Sequence, residues 1–282
     1  MSAQKIFGLH CRQSDSKAQT ALEHSREVLE ANGFGTFSLQ QMNTDLKAAE
    51  AVLVFGGDGT VLHTARLMAP LQIPVLGVNF GHVGYLCAID NSELDQALQK
   101  LIEGQYTVER RNMLHGSVLE DGRRLWKAEA LNDFLVGGSN RTVTLEVSID
   151  GSKLGIIRGD GVILATKTGS TAYAFSAGGP IMLTENALCL VASNPVFSSI
   201  RSLVLPDHSV IRIRSLSEYV SPFVVADGQN DWVLSGNMEL ELQKAKNQAL
   251  FIQFDNHSPV ENLYRSFQKL ILKELDYSYP HP

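Results

Sequence analysis

Apolar and polar positions change rhythm along this chain, and the change divides it. Up to about residue 108, short apolar runs alternate with stretches of helical period. Lys5 to Leu9 reads as a strand. Lys17 to Ala31 places Ala18, Ala21, Leu22, Val28 and Leu29 on one helical face, and Asn32-Gly33 supplies its stop. Ala51 to Phe55 is unbroken apolar sequence, the pattern of a strand buried on both faces of a parallel sheet. A glycine-rich turn leads into a helix expected from Thr60 to Ala69, closed by Pro70. Pro74 to Asn79 is the next strand, and a further helix is expected from Ser92 to Glu103, with Gly104 beyond it. Strand and helix in alternation predict an α/β domain with an open, mostly parallel sheet.

From Glu109 the period shortens to two. Asp121-Gly122 and Asp150-Gly151 each separate apolar-rich stretches, a strong short-range hairpin signal. Val143, Leu145, Val147 and Ile149 alternate with polar residues, so that strand buries one face. Val210–Arg214, Phe223–Val225 and Met238–Leu242 continue the pattern. The tail from Pro259 to Leu275 returns to helical spacing at Leu263, Phe267, Leu270, Ile271 and Leu275. The expected organisation is therefore an α/β domain over 1–108, a β-rich domain over 109–250, and a segment, 251–282, that packs back on the first domain.

Composition narrows the classes without naming one. The 282 residues are 44% hydrophobic and 19% charged, ordinary for a chain that builds a sizeable core. A net charge of −6 argues against a nucleic acid as partner, which needs clustered positive surface. No apolar run approaches the roughly 18 residues of a membrane span, and the first residues lack a signal pattern. Cys11, Cys87 and Cys189 show no paired spacing and read as reduced, buried thiols. A cytoplasmic protein with no membrane partner is expected. The histidines show no ligand spacing, so no protein-held metal is expected.

Candidate chemistry begins at Gly56-Gly57-Asp58-Gly59-Thr60, between a buried strand and a helix. Ligands of open α/β sheets collect at the carboxyl ends of the strands, where this turn belongs. Glycines let a phosphate approach backbone N–H groups, and the following helix start favours an anion. A carboxylate there is electrostatically awkward unless Asp58 accepts a proton from a substrate hydroxyl or helps position a metal-bound phosphate. The plainer reading is a turn residue. GxxxxGK[ST] and a post-strand GxGxxG are both missing, which disfavours Walker ATPases and ordinary Rossmann dehydrogenases.

A second segment is richer in small and hydroxyl residues: Arg158-Gly159-Asp160-Gly161, then Thr166-Lys167-Thr168-Gly169-Ser170-Thr171-Ala172-Tyr173, then Ser176-Ala177-Gly178-Gly179-Pro180. Such a surface suits a polar ligand, with Tyr173 available to stack or hydrogen-bond.

Together these segments resemble the NAD kinase family, whose pattern holds a GGDGT turn, an N-x-G-x-x-G-[FY]-L stretch, an Asn-Glu pair, a GDG…TPTGSTAY…SAGGP block and a late DGQ. Here they are Gly56–Thr60, Asn79–Leu86, Asn132-Asp133, Gly159–Pro180 and Asp227-Gly228-Gln229. GGDGT is shared with diacylglycerol and sphingosine kinases; TGSTAY is much more specific. The chain departs from the pattern at Lys167, where the family has Pro, at Asp133, where it has Glu, and at Val196 and Ser202, where it has His and Pro.

The resemblance implies a two-domain NAD kinase/diacylglycerol kinase-like fold and phosphoryl transfer to the 2′-hydroxyl of the adenosine ribose of NAD. It implies Asp58 as the base, and Gly57, Gly59 and Thr60 as a cradle for the phosphates of ATP or polyphosphate, with Mg²⁺ or another divalent cation carried by the donor. It implies Asn79, Asn132, Asp133, Asp160, Thr168, Thr171, Ala172, Tyr173, Ala174, Phe175 and Ser176 as NAD contacts, joined by Arg158 and Gln229. His63, one helical turn past Asp58, is either a further contact or a solvated helix residue. A homodimer or homotetramer is the implied assembly. Two rivals remain at this level: a lipid or sphingoid-base kinase using the same turn, and a non-catalytic NAD(P)-binding regulator.

Overall fold

A computed structural model describes residues 4–12, 14–39, 49–80, 85–138, 140–196, 198, 200–254 and six positions between 260 and 268. The chain divides into two units: Met1–Arg110 with Ala249–Pro282, and Arg111–Gln248. The helix expected over Pro259 to Leu275 lies largely outside the described residues, as do Gly81 to Gly84 of the Asn79–Leu86 stretch.

The first unit runs β1 (Ile6–Cys11), α1 (Ser16–Ala31), β2 (Gly35–Ser38), β3 (Ala49–Gly56), α2 (Asp58–Met68), β4 (Val75–Asn79), β5 (Ile89–Asp90), α3 (Leu94–Ile102) and β6 (Thr107–Arg111). Each helix follows from local chemistry. Asp15 caps α1 by accepting the Ala18 N–H at 3.0 Å, and Gly33 ends it at φ +83°. Between those ends Ala18, Ala21, Leu22, Ser25 and Leu29 form the buried face, where Leu22 and Leu29 contribute about 1.5–3 kcal/mol each. The helix expected to start at Ser92 is preceded by a 3₁₀ turn, Asn91–Glu93, and Asp90 is the residue that caps it. Asp90 and Glu93 form a reciprocal capping box, which satisfies two N–H groups at the helix start where a lone serine would satisfy one.

The second unit is strand upon strand: β7 (Leu114–Glu120), β8 (Arg123–Ala130), β9 (Asp133–Gly137), β10 (Val143–Ile149), β11 (Ser152–Gly159), β12 (Gly161–Ala165), a short helix α4 (Tyr173–Ser176), β13 (Ala187–Ser193), β14 (Ser202–Pro206), β15 (Ile211–Ser215), β16 (Phe223–Ala226), β17 (Asn230–Val233) and β18 (Glu239–Lys244). The chain then returns to the first unit as β19 (Ala249–Gln253).

Strand order in the first unit is β2-β1-β3-β4-β19-β6, with β5 also on β4. The pairings β1–β2, β1–β3, β3–β4, β4–β5 and β4–β19 are all parallel. The second unit holds two six-stranded antiparallel sheets, β11-β10-β15-β18-β7-β8 and β14-β13-β12-β9-β16-β17. One core lies between them, with Val143, Leu145 and Val147 from the first sheet and Phe134, Val162, Leu164 and Leu190 from the second. The alternate residues Ile163, Ala165, Cys189 and Val191 form a smaller core on the opposite face of the second sheet, covered by Ala174 and Met182. The predicted Asp-Gly hairpin turns are present, with Asp121 and Asp150 at φ +49° and Gly122 and Gly151 at φ +79°. The expected α/β domain followed by a β-rich one is the observed architecture.

Candidate functional site

The candidate residues of the sequence fall in two places, one in each unit. In the first, β3 ends at Gly56 and α2 begins at Asp58, two residues earlier than its apolar period suggests. Gly57 is the N-cap, in extended backbone, and Asp58 sits in the first helical turn, where a negative charge meets the positive end of the helix. The segment is thus a strand end and a helix start rather than a free loop. Asp58 Oδ2 accepts the N–H of Tyr85 at 2.8 Å and Oδ1 accepts that of Leu86 at 3.1 Å. The Tyr85–Ala88 stretch reaches this position because β4 has glycine where it crosses. A Cβ on Gly77 would stand 3.0 Å from Cys87 Cα and 3.2 Å from the Leu86 carbonyl. The Asp58 charge, after burial, raises the pKa of the Tyr85 hydroxyl.

The three residues expected to cradle phosphate differ from one another. Thr60 is buried, and its N–H donates to the Gly57 carbonyl at 2.9 Å. Its side chain packs beneath Gly56, so it holds the turn's shape. The N–H groups of Gly57 and Gly59 carry no hydrogen bond among the described residues. A Cβ at Gly59 would meet only the Arg12 guanidinium, at 3.7 Å, so packing does not explain that glycine. Arg12 follows β1 at the same carboxyl edge of the sheet and was not singled out in the sequence; its position just past a buried parallel strand is the signal that could have found it. His63 is exposed on α2, and its charge, after burial, helps lower the pKa of His10 on β1. Asn79 lies at the end of β4, where its amide donates to Asp90 Oδ1 at 3.0 Å and helps anchor the start of α3.

In the second unit a 3₁₀ turn, Thr168–Thr171, and α4 follow β12. Several hydroxyls here build the loop itself. Thr166 is buried and its hydroxyl donates to the Leu131 carbonyl at 2.6 Å, while accepting the Gly169 N–H at 3.1 Å. The Ser170 hydroxyl donates to the Lys167 carbonyl at 2.7 Å and accepts the Met182 N–H at 2.9 Å. Gly169 lies so close to the Asn132 backbone that a Cβ would fall inside contact distance of its carbonyl oxygen. Lys167, the residue unlike the family pattern, places Nζ 3.4 Å from Glu185 Oε1. That contact is Coulombic rather than a directed hydrogen bond. The other Glu185 oxygen accepts the Asn112 N–H at 2.8 Å, which holds the 181–186 stretch under the turn.

What this loop exposes is Tyr173, Phe175 and Ser176, with Thr168, Thr171 and Ala172 half-buried. Ala174 faces the small core and is fully buried. Arg158 and Asp160 are exposed, and Asp160 accepts from the Asn194 amide at 2.8 Å. Asp160 is the far end of β12 from Thr168, since β12 runs from Gly161 to Ala165 between them.

Asn132 and Asp133 meet this loop from β9. Asp133 pairs with Ala165 across the sheet. Asp227, of the DGQ triplet, anchors them: its carboxylate accepts the N–H groups of Leu131, Asn132 and Asp133 at 2.8, 2.8 and 3.1 Å. It does so from a tight turn between β16 and β17, with Asp227 and Gly228 at φ +51° and +65° and the Gln229 N–H donating to the Ala226 carbonyl. Burial, then the Asp227 charge, pushes the Asp133 carboxyl up to about 7.

The chain thus joins a helix start with unbonded N–H groups on a parallel sheet to a polar loop built on a β-sandwich. Comparison with known proteins refines this. Residues 8–106 match the ATP-NAD kinase N-terminal domain and residues 133–254 the ATP-NAD kinase C-terminal domain. NAD kinase of Clostridium kluyveri is 36% identical over 210 residues, 73% of this chain and 74% of that protein. NAD kinase of Carboxydothermus hydrogenoformans is 37% identical over 227 residues, 79% of this chain and 81% of that one. Among solved structures, an NAD kinase from Archaeoglobus fulgidus in complex with ATP superposes with a TM-score of 0.74 at 25% identity, covering 94% of this chain and 99% of that one. Yeast NADH kinase complexed with NADH gives 0.82 at 23% identity, covering 93% and 86%. The chain belongs to the NAD kinase family.

Proposed function

We propose that this NAD kinase family member transfers the terminal phosphoryl group of ATP, or of polyphosphate, to the 2′-hydroxyl of the adenosine ribose of NAD, giving NADP. The observation that carries the reading is the intact turn at Gly57–Gly59, whose two N–H groups are unbonded among the described residues. Donor phosphates placed there meet backbone donors and the field of α2. Thr60 supports the turn from below, and Arg12 and His63 add positive or polar groups beside it.

Asp58 accepts the N–H groups of Tyr85 and Leu86, one on each carboxylate oxygen, which fixes its orientation at the helix start. It is assigned the role of base, taking the proton of the ribose hydroxyl as the phosphoryl group arrives. A divalent ion is assigned to the donor's phosphates, where it would offset their charge. Acceptor recognition is assigned to Asn132, Asp133, Thr168, Thr171, Ala172, Tyr173, Phe175 and Ser176, with Arg158, Asp160 and Gln229 contributing. The lipid-kinase and non-catalytic readings are not favoured: the curated relatives that span most of this chain are NAD kinases.

The test is NADP formation from NAD with ATP or polyphosphate and Mg²⁺, run beside diacylglycerol and sphingosine as acceptors. Asp58→Asn should lower turnover at least about 100-fold. It also sets an amide NH₂ against a backbone N–H, which costs about 1–3 kcal/mol, so the variant's fold must be followed by circular dichroism alongside. NADP formation that persists in a folded Asp58→Asn variant removes Asp58 from the base role. A lipid product in place of NADP overturns the whole reading.

A further inference from the structure

Asp133 is a buried carboxyl with no hydrogen-bonding partner for its side chain among the described residues, although its relative exposure is 7%. A buried polar group is nearly always completed by protein, ordered water or a ligand, and here the described residues supply no partner. Its neighbour is a second carboxylate. The Asp133 N–H donates to Asp227 Oδ1, and the Asp227 N–H donates back to the Asp133 carbonyl at 3.0 Å, so the two residues are tied face to face. Only one of them is built to be an anion. Asp227 gathers three successive backbone N–H groups, an arrangement that stabilises negative charge. Asp133 receives none at its side chain.

Among the described residues, no cation acts on the Asp133 carboxyl; the only charge that does is that of Asp227. On the turn after β12, Thr166 directs its hydroxyl to the Leu131 carbonyl, and Lys167 lies against Glu185. Ala165, Ala174 and Leu135 bring apolar surface. Tyr173 on α4 is exposed, Asp160 is bonded to Asn194 at the far end of β12, and Gln229 and Asp231 follow Asp227 on the hairpin.

We propose that Asp133 takes part in dinucleotide capture as a neutral carboxylic acid, with Asp227 holding the single charge of the pair, and that capture therefore weakens as the solution becomes alkaline. The proposal rests on the reading of the chain as an NAD kinase. A neutral acid presents one O–H donor and one carbonyl acceptor, which a carboxylate does not. It also leaves one negative charge instead of two beneath a ligand that is itself anionic through its pyrophosphate. A carboxyl lifted to about 7 is half ionised at neutral pH, so the change falls within the working range.

The experiment has two arms. In the ligand-free protein, carbon-detected NMR on ¹³C-labelled chain follows the Asp133 carboxyl directly, with a midpoint expected near 7. In steady-state assays from pH 6 to 9, KM for NAD should rise above pH 7, toward about tenfold per pH unit, with kcat changing less. Asp133→Asn should flatten the KM profile, and Asp227→Asn should lower the Asp133 midpoint, leaving the larger effect of burial in place. A carboxyl that titrates below pH 5, or a KM step that survives in Asp133→Asn, overturns the proposal. A chain that makes no NADP at all refutes the kinase reading, while the NMR arm still decides the protonation of Asp133.

Discussion

Asp133 and Asp227 are chemically identical side chains with opposite surroundings, and the difference has a consequence for stability as well as for binding. An acid whose proton is held more tightly in the fold than in the open chain stabilises the fold at low pH. That contribution is complete below the unfolded value of 3.8 and is lost as pH rises through the folded value of about 7. The window is therefore about pH 4 to 7, and its full size is on the order of 2–4 kcal/mol. In Asp133→Asn the group no longer titrates, so the variant should gain stability relative to the parent by about that amount between pH 4.5 and pH 8. Urea denaturation read by tryptophan emission measures it cleanly, because both tryptophans, Trp126 and Trp232, stack on each other in the second unit. A difference between variant and parent that does not change with pH would show that Asp133 ionises normally.

At the scale of elements, the two glycine-rich turns are built for opposite reasons. Gly169 is required by packing, since the turn after β12 is pressed on the Asn132 backbone. Gly169→Ala should force the turn away, cost about 1–3 kcal/mol and raise KM for NAD at least tenfold. Gly59 lies in the first turn of α2, where an added Cβ would make only ordinary contact with the Arg12 side chain. Gly59→Ala should leave stability unchanged or improve it by up to about 1 kcal/mol, so lost turnover there would report a methyl group in the path of the donor phosphate. Unimpaired turnover would remove Gly59 from the cradle. These two roles were not separable in the sequence, where both glycines belong to the same kind of motif. What was legible is what is local: the buried face of α1, the unbroken apolar run of β3, the Asp-Gly turns, the alternation of β10. The short strands β2 and β5 gave no signal, because four half-exposed residues and two residues are too few to show a period. Arg12 and Glu185 were not singled out, and Asp227 was matched in the DGQ triplet without a role, since their contacts join positions that lie far apart along the chain. The amide nest that makes Asp227 an anion is assembled from a strand start almost a hundred residues earlier.

For the whole molecule, the order of strands dictates what folds alone. The second unit is continuous from Arg111 to Gln248 and encloses its own core between two sheets. The first is interrupted: β19 lies between β4 and β6, so its sheet is complete only after the rest of the chain has been made. Leu250, Phe251 and Ile252 of that strand are buried, and together contribute about 5–9 kcal/mol. That equals much of the stability of an ordinary domain. Without β19, β4 and β6 would also face each other with unpaired backbone. A fragment of residues 111–248 is therefore expected to unfold cooperatively in urea with the tryptophan emission of the full chain. A fragment of residues 1–110 is expected to lack a cooperative transition by circular dichroism, and to regain one when residues 249–282 are joined to it by a short glycine-serine linker. A cooperative transition in 1–110 alone would mean that β1, β3 and β4 with their helices suffice, and that β19 is an accessory rather than a keystone of the sheet.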